Sequence, residues 1–301
     1  MALRAGGGAI LAGVGLTVGY TALISGADAI TKMFAASYAA PQLFAVSGGI
    51  VALLSVLADR AGPAPRGART SCPRAMAVRS MATVLGAIAF FHAFRLLPFA
   101  EVFLFIAMIP LFTALLSGPV LGEAVRAQAW GALMLGIIGL FCLAPGGLHG
   151  LGLGHAIALA AVLLGTVSMM ASRYIGKRDD NLLAQVFWPN LALGGVMACA
   201  LPFVWTPMSL SDLGWACAYA GLLFTARWLL AGAFRQLPAY VVTPLMNLQF
   251  LWMLGIGAAV FGEAPRMMLF IGAGMIITAG AWLIYDQASP AAAMRRIVPA
   301  E

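Results

Sequence analysis

Apolar runs of about twenty residues, separated by short polar breaks, set the pattern of this chain; a helix of that length crosses the hydrocarbon core of a bilayer. The pattern predicts an all-α, multi-pass membrane protein with ten transmembrane helices, near 8–34, 41–58, 76–94, 99–121, 127–144, 154–175, 182–204, 212–234, 240–261 and 267–285. The first run exceeds one crossing and is expected to protrude or tilt. Its opening, MALRAGGGAILAG, has features of a signal peptide. Cleavage would remove a helix the first half needs, so an uncleaved anchor is expected. The tail, 287–301, carries Arg295 and Arg296 and is expected to be cytoplasmic and disordered.

One polar-flanked stretch occurs twice. AFRLLPFAEVFLFIAMIPLFTALLSGPVLGEAVR, from Ala93 to Arg126, returns as AFRQLPAYVVTPLMNLQFLWMLGIGAAVFGEAPR, from Ala233 to Arg266, without a gap. Ala93, Phe94, Arg95, Leu97 and Pro98 fall on Ala233, Phe234, Arg235, Leu237 and Pro238; Gly122, Glu123, Ala124 and Arg126 fall on Gly262, Glu263, Ala264 and Arg266. Shared hydrophobicity would scatter its matches rather than align two turns in one register. Five spans per half is an odd number, so the second half must enter the membrane from the opposite face. The expected organisation is a first five-helix repeat at 8–144, a linker at 145–153 inside the Pro/Gly-rich APGGLHGLGLGH, and a second, inverted repeat at 154–286. Inverted repeats are characteristic of secondary transporters, whose halves exchange conformations around a central site.

Composition and charge sharpen this. The chain is 62% hydrophobic and 9% charged, with mean hydropathy +0.98; soluble domains carry about 25% charged residues. The net charge of +7 does not mark a nucleic-acid face, because the arginines sit in short loops. With both termini cytoplasmic, thirteen Lys and Arg fall on the inner side against Lys32, Arg95 and Arg266 outside, with Arg227 in a span. That is the positive-inside bias of a cell (inner) membrane protein. The loop from Asp59 to Arg79 alone supplies five of the thirteen.

Two five-helix halves, each closing with a Pro-turn hairpin and a Gly-Glu turn, resemble the drug/metabolite transporter superfamily, in particular its EamA-type ten-helix members. The resemblance covers about residues 8–286 and rests on DAITK (Asp28–Lys32), PLFTALLSGPVLGE (Pro110–Glu123) and Gly262–Glu263. Ser47 stands where many relatives carry an arginine. The resemblance implies alternating-access transport of small organic solutes, with export of amino acids or related amphipathic metabolites favoured. Uptake of a heteroaromatic solute such as riboflavin or S-adenosylmethionine is the alternative. From other classes, a channel would conduct without saturation, and an intramembrane enzyme would need clustered catalytic groups.

Ionisable and amide groups at bilayer depth are the candidate site residues. Arg227, in LLFTARWLLAGAF, could hold a carboxylate or phosphate bidentately, or snorkel to the inner surface. Towards the outer face lie Asp28, Lys32, His92, Arg95 and Glu101. Asp28 and Lys32 are four apart, which favours a pair within the helix. Arg95 and Glu101 flank the hairpin turn and could pair across it. These four are gate or proton-coupling candidates, and His92 is a substrate or proton-sensing candidate. Asn247 and Gln249, in TPLMNLQFLW, need partners at depth or a watered cavity. Tyr20, Trp188, Asn190 and Trp228 could contact an amphipathic substrate or simply pack. Pro110, Pro189 and Pro244 each free a carbonyl and permit a kink. Gly15–Gly19, Gly118–Gly122 and Ala258–Gly262 read as close-packing pairs.

Other chemistry is not expected. Cys72, Cys142, Cys199 and Cys217 are widely spaced, and neither a metal site nor a disulfide frame follows. Gly150, Gly152 and Gly154 follow no βαβ pattern, and there is no ATPase phosphate loop. No cofactor, catalytic role or nucleic-acid partner is implied. The expected partners are lipid and a small-molecule substrate, with the protein a monomer or a possible homodimer.

Overall fold

The computed structural model describes residues 7–109, 152–236 and 242–264, less positions 63–64, 177, 180 and 243–244, with a few single positions beside them. Every described element is a helix: α1 (Gly7–Ser37), α2 (Ala40–Ala61), α3 (Pro73–Leu96), α4 (Phe99–Ile106), α5 (Leu153–Gly176), α6 (Leu182–Val204), α7 (Leu210–Gln236) and α8 (Gln249–Phe261). Six of them (α1, α2, α3, α5, α6 and α7) are long and apolar enough to cross a membrane. Only 22% to 50% of each crossing window is buried within the protein. The remainder is apolar and faces outward, with Leu53, Met81, Trp228 and Val196 each more than half exposed. Such a surface requires lipid as its solvent, so the chain is a membrane-embedded helical bundle. The expected fifth and tenth spans, the linker up to position 151 and the tail lie outside the described residues.

Local chemistry fixes the helix ends. Pro41 and Pro73 stand in the first turns of α2 and α3, where an absent N–H costs nothing. Asn181 caps α6 by accepting the Ala184 N–H at 3.4 Å. At the end of α8, Gly262 has φ +63°, a left-handed position open to glycine. Its role is therefore backbone geometry, not the close packing expected for Ala258–Gly262. Of the Gly15–Gly19 pair, only Gly19 receives a neighbour: a Cβ there would lie 3.2 Å from Leu229 Cδ1, while Gly15 is exposed.

The dominant packings are α1 on α7, α2 on α6 and α3 on α5. Helices α2 and α6 run antiparallel. At the end predicted to face out, Gln42 Nε2 donates to the Thr206 carbonyl and Thr206 Oγ1 donates to Gln42 Oε1, both at 2.8 Å. At the opposite end, Asn181 Nδ2 donates to the carbonyls of Gly67 and Arg69, both at 2.9 Å, and Trp188 Nε1 donates to Ala68 O at 2.7 Å. Ser71 N donates to the Asp179 carboxylate at 2.8 Å. The regions of Arg66 and Asp179 thus share one end of the bundle, as the topology requires. Between the ends the two backbones cross at glycine. A Cβ on Gly48 would lie 2.7 Å from Gly194 N and 2.8 Å from Asn190 O, while one on Gly49 would meet nothing within 4 Å.

Two apolar clusters fill the interior. Phe91, Phe44, Leu43 and Phe34 bind α1, α2 and α3 to Leu193 and Met197 of α6 and Tyr219 of α7. Phe94, Phe99, Phe103, Phe250 and Met253 bind α3, α4 and α8.

The long runs near 99–121 and 240–261 are interrupted. After α4 the chain turns at Ala107–Met108, and before α8 it turns at Asn247–Leu248. In the first, Met108 N donates to Phe105 O at 2.9 Å; in the second, Leu248 N donates to Leu245 O at 3.0 Å. The two breaks occupy the same place in the repeat, 140 residues apart (107 to 247). Hydropathy alone did not mark either break, although Pro110 and Pro244 lie in the same two runs and permit kinks. Helices α4 and α8 then meet through Phe103 and Phe250, whose ring centroids are 5.0 Å apart.

Candidate functional site

The polar groups of α1, α7 and α8 converge in the interior. Asp28, between two and three turns before the end of α1, accepts Gln249 Nε2 at 2.8 Å. Gln249 opens α8 directly after the Asn247–Leu248 break, and its carbonyl accepts Ser25 Oγ at 3.4 Å. Trp252, one turn further on, donates its indole N–H to Thr21 Oγ1 at 3.2 Å. Tyr20 and Tyr219 each lie within electrostatic reach of both Asp28 and Arg227. The Tyr219 hydroxyl lies against Thr31. Asp28, Tyr20 and Arg227 are all half-buried. The series runs from a carboxylate, past two phenols, to a guanidinium that no described carboxylate neutralises.

Below it stands a second arginine. Arg79, on α3, donates from Nε to Gln185 O at 3.2 Å and from Nη1 to Ser168 O at 3.3 Å. The Gln185 carbonyl is free because Pro189, four residues on, has no N–H to give it. The expected consequence of this intrahelical proline is therefore present, and its freed acceptor anchors a charge. Arg79 and Arg227 lie within electrostatic reach of one another.

At the end predicted to face out, Glu263 ties three helices. Its Oε1 lies 2.6 Å from Lys32 Nζ, and both of its carboxylate oxygens accept the Phe99 N–H, at 2.9 and 3.0 Å. The first free amide of α4 is thereby satisfied by a negative charge placed at a helix N-terminus. Lys32 Nζ also donates to Leu97 O at 3.2 Å and sits 5.2 Å from the Phe261 ring centroid. Gly257 leaves room for this fold-back: a Cβ there would lie 3.1 Å from Glu263 Oε2. Nearby, Tyr38 donates its hydroxyl proton to Asp212 at 2.6 Å, which pushes the ionisation of the phenol upward.

Several expected contacts differ. Asp28 and Lys32 do not pair, because Gln249 and Glu263 from other helices meet them first. Arg95 and Glu101 do not pair either: Arg95 is exposed, and Glu101 Oε2 faces His155 Nε2 at 3.8 Å. His92 is exposed on the outer side of α3, its ring edge-on to Phe91, and so is not in the interior. Trp228, 61% exposed, is on the lipid-facing side of α7. Trp188 has its N–H committed to Ala68, and buried Asn190 donates within its own helix to Val186 O at 2.6 Å. Asn247 acts through its backbone, its carbonyl accepting the Phe250 N–H at 3.1 Å within the break. Pro110 and Pro244 lie outside the described residues.

Sequence reasoning missed Glu263, Arg79 and Tyr219. Glu263 was visible as half of the repeated Gly-Glu turn, but its partners are 164 and 231 residues away. Arg79 was counted only towards loop charge.

No protein-family model matches the chain, and no curated protein matches it. Among solved structures, one described as "Crystal structure of protein" superposes with a TM-score of 0.65 at 20% sequence identity, over 90% of this chain and 98% of the other. At that identity the likeness establishes a shared fold alone.

Proposed function

We propose that this protein is a secondary transporter of the EamA type, in which two inverted five-helix halves alternately open a central site. The reading has both termini cytoplasmic and export of amino acids or related amphipathic metabolites as the activity. The observation that carries it is the pair of helix breaks at Ala107–Met108 and Asn247–Leu248, in one register of the repeat. Interrupted helices at matching places in two halves are where transporters expose backbone groups to cargo. The packing supports the same view. If α1 to α3 correspond to α5 to α7, the principal contacts among these six helices pair under exchange of the halves: α1·α7 with α3·α5 and α3·α6 with α2·α7, while α2·α6 maps onto itself.

In this reading Arg227 holds the substrate's acid group, Tyr20 and Tyr219 flank its body, and Asp28 with Gln249 receives an amino group at the other end. Lys32, Glu263 and the Phe99 amide close the outer mouth. Opening the outer end exchanges the Lys32–Glu263 pair for water, and loading of the site offsets that cost. Purified protein in liposomes, given a panel of labelled amino acids and heteroaromatic solutes in both directions, tests this. Saturable flux with counter-transport of an acid-bearing solute is expected. Non-saturating conductance would indicate a channel, and product formation an enzyme.

A further inference from the structure

At the arginine-rich end of the bundle, a groove of about 690 Å³ lies between the 68–70 segment, the first two turns of α3 and the start of α6. Its walls include Arg69, Thr70, Pro73, Met76, Ala77 and Trp188. The groove is built rather than incidental. Asn181 holds its roof through the Gly67 and Arg69 carbonyls, and Trp188 holds it through Ala68, so the tryptophan's polar edge is spent and its apolar ring is presented. Arg69 lines the groove, and Arg74 stands exposed on the adjoining first turn of α3. Neither forms an ion pair with a described residue. Among the described residues, the two carboxylates of these loops are engaged by backbone amides: Asp59 by Arg66 and Gly67, Asp179 by Ser71 and Asn181. Beyond the groove, α3 continues with Val78 and Met81 exposed at 51% and 64%, a surface that only lipid can cover.

We infer that this groove is a binding site for one anionic phospholipid, its phosphate at Arg69 and Arg74 and its acyl chains along Ala77 and the outward face of α3. A soluble anion would leave the apolar wall and the Trp188 ring uncovered, and a zwitterionic lipid would leave the two guanidiniums without a net counter-charge. Anionic lipids concentrate where basic residues flank a membrane helix. The inference requires only that the protein sits in a membrane and stands apart from the transport reading.

The test is native mass spectrometry of detergent-purified protein equilibrated with equal amounts of phosphatidylglycerol and phosphatidylcholine. The wild-type protein should retain one phosphatidylglycerol in preference to phosphatidylcholine, and inorganic phosphate should not displace it. Arg69→Gln with Arg74→Gln should lower the preference by roughly fivefold for each arginine removed. Ala77→Phe keeps both charges and fills the groove, and it should also abolish retention. A preference that survives Ala77→Phe, equal retention of both lipids by the wild type, or displacement by free phosphate would each overturn the site. Circular dichroism and thermal unfolding of each variant separate loss of lipid from loss of fold.

Discussion

An arginine at bilayer depth costs about 2.5–3.5 kcal/mol on insertion scales, and Arg227 bears that cost with two phenols and a second arginine as its electrostatic neighbours. In the proposed transport reading, a substrate acid group supplies what the described residues do not. Replacing Arg227 with Gln removes a charge-assisted bond of about 1.5–3 kcal/mol and should raise KM for the transported acid by about tenfold or more. Lys at the same position keeps the charge but not the fork, and should recover part of the loss. Steady-state flux in liposomes reads both; an unchanged KM in the Gln variant would remove Arg227 from the site. Asp179 is a residue of another kind. The amides of Ser71 and Asn181 hold its carboxyl below the ordinary carboxylate range. A depressed folded-state value means that its tie is fully present above the ordinary carboxylate pKa and is lost as pH falls through the lowered one. Hydrogen exchange across residues 66–72, corrected for the intrinsic rate, should therefore rise only under strongly acid conditions in the wild type, and already at neutral pH in Asp179→Asn. Protection that ignores both acid and the substitution would separate Asp179 from the loop.

At the level of helices, the hydrophobic runs predicted the six long crossing helices to within a few residues, because burying apolar length in lipid is a local requirement. The breaks were legible only as kinks permitted by Pro110 and Pro244, not in place or form. Ala107, Met108 and Leu248 are as apolar as their neighbours, and a turn there depends on what packs beside it. The same limit hid the α2–α6 crossing: the sequence marked GxxxG pairs, whereas the closest backbone approach uses Gly48 against Gly194, in helices 146 positions apart (48 to 194). Side-chain partners were the least legible, since Asp28–Lys32 pairing is the local solution and Gln249 and Glu263 come from the far half. Two substitutions test the element contacts. Gly48→Ala places a methyl group within 2.8 Å of three backbone atoms of α6 and should cost about 1–3 kcal/mol, whereas Gly49→Ala should be close to neutral. Thermal unfolding in detergent compares the two, and equal midpoints would contradict the crossing. Glu263→Gln removes the negative end of the Lys32 pair and the charged cap on α4. Cysteines introduced near Phe99 should then label faster from outside, and an unaltered rate would show that Glu263 does not hold that end closed.

For the whole molecule, the exchange pattern of helix contacts joins the repeat seen in the sequence to a mechanism. The contacts of α1, α2 and α3 with the other half are matched by those of α5, α6 and α7, and the proposed mechanism has the two halves trade these roles. Lys32 and Glu263 come from opposite halves, and under the proposed mechanism their contact parts in every cycle. The most direct measurement is flux through a protein carrying Lys32→Cys and Glu263→Cys in a background without Cys72, Cys142, Cys199 and Cys217, before and after bridging with a short reducible bifunctional thiol reagent. Alternating access predicts that bridging stops transport and that reduction restores it. Undiminished transport through fully bridged protein would contradict it.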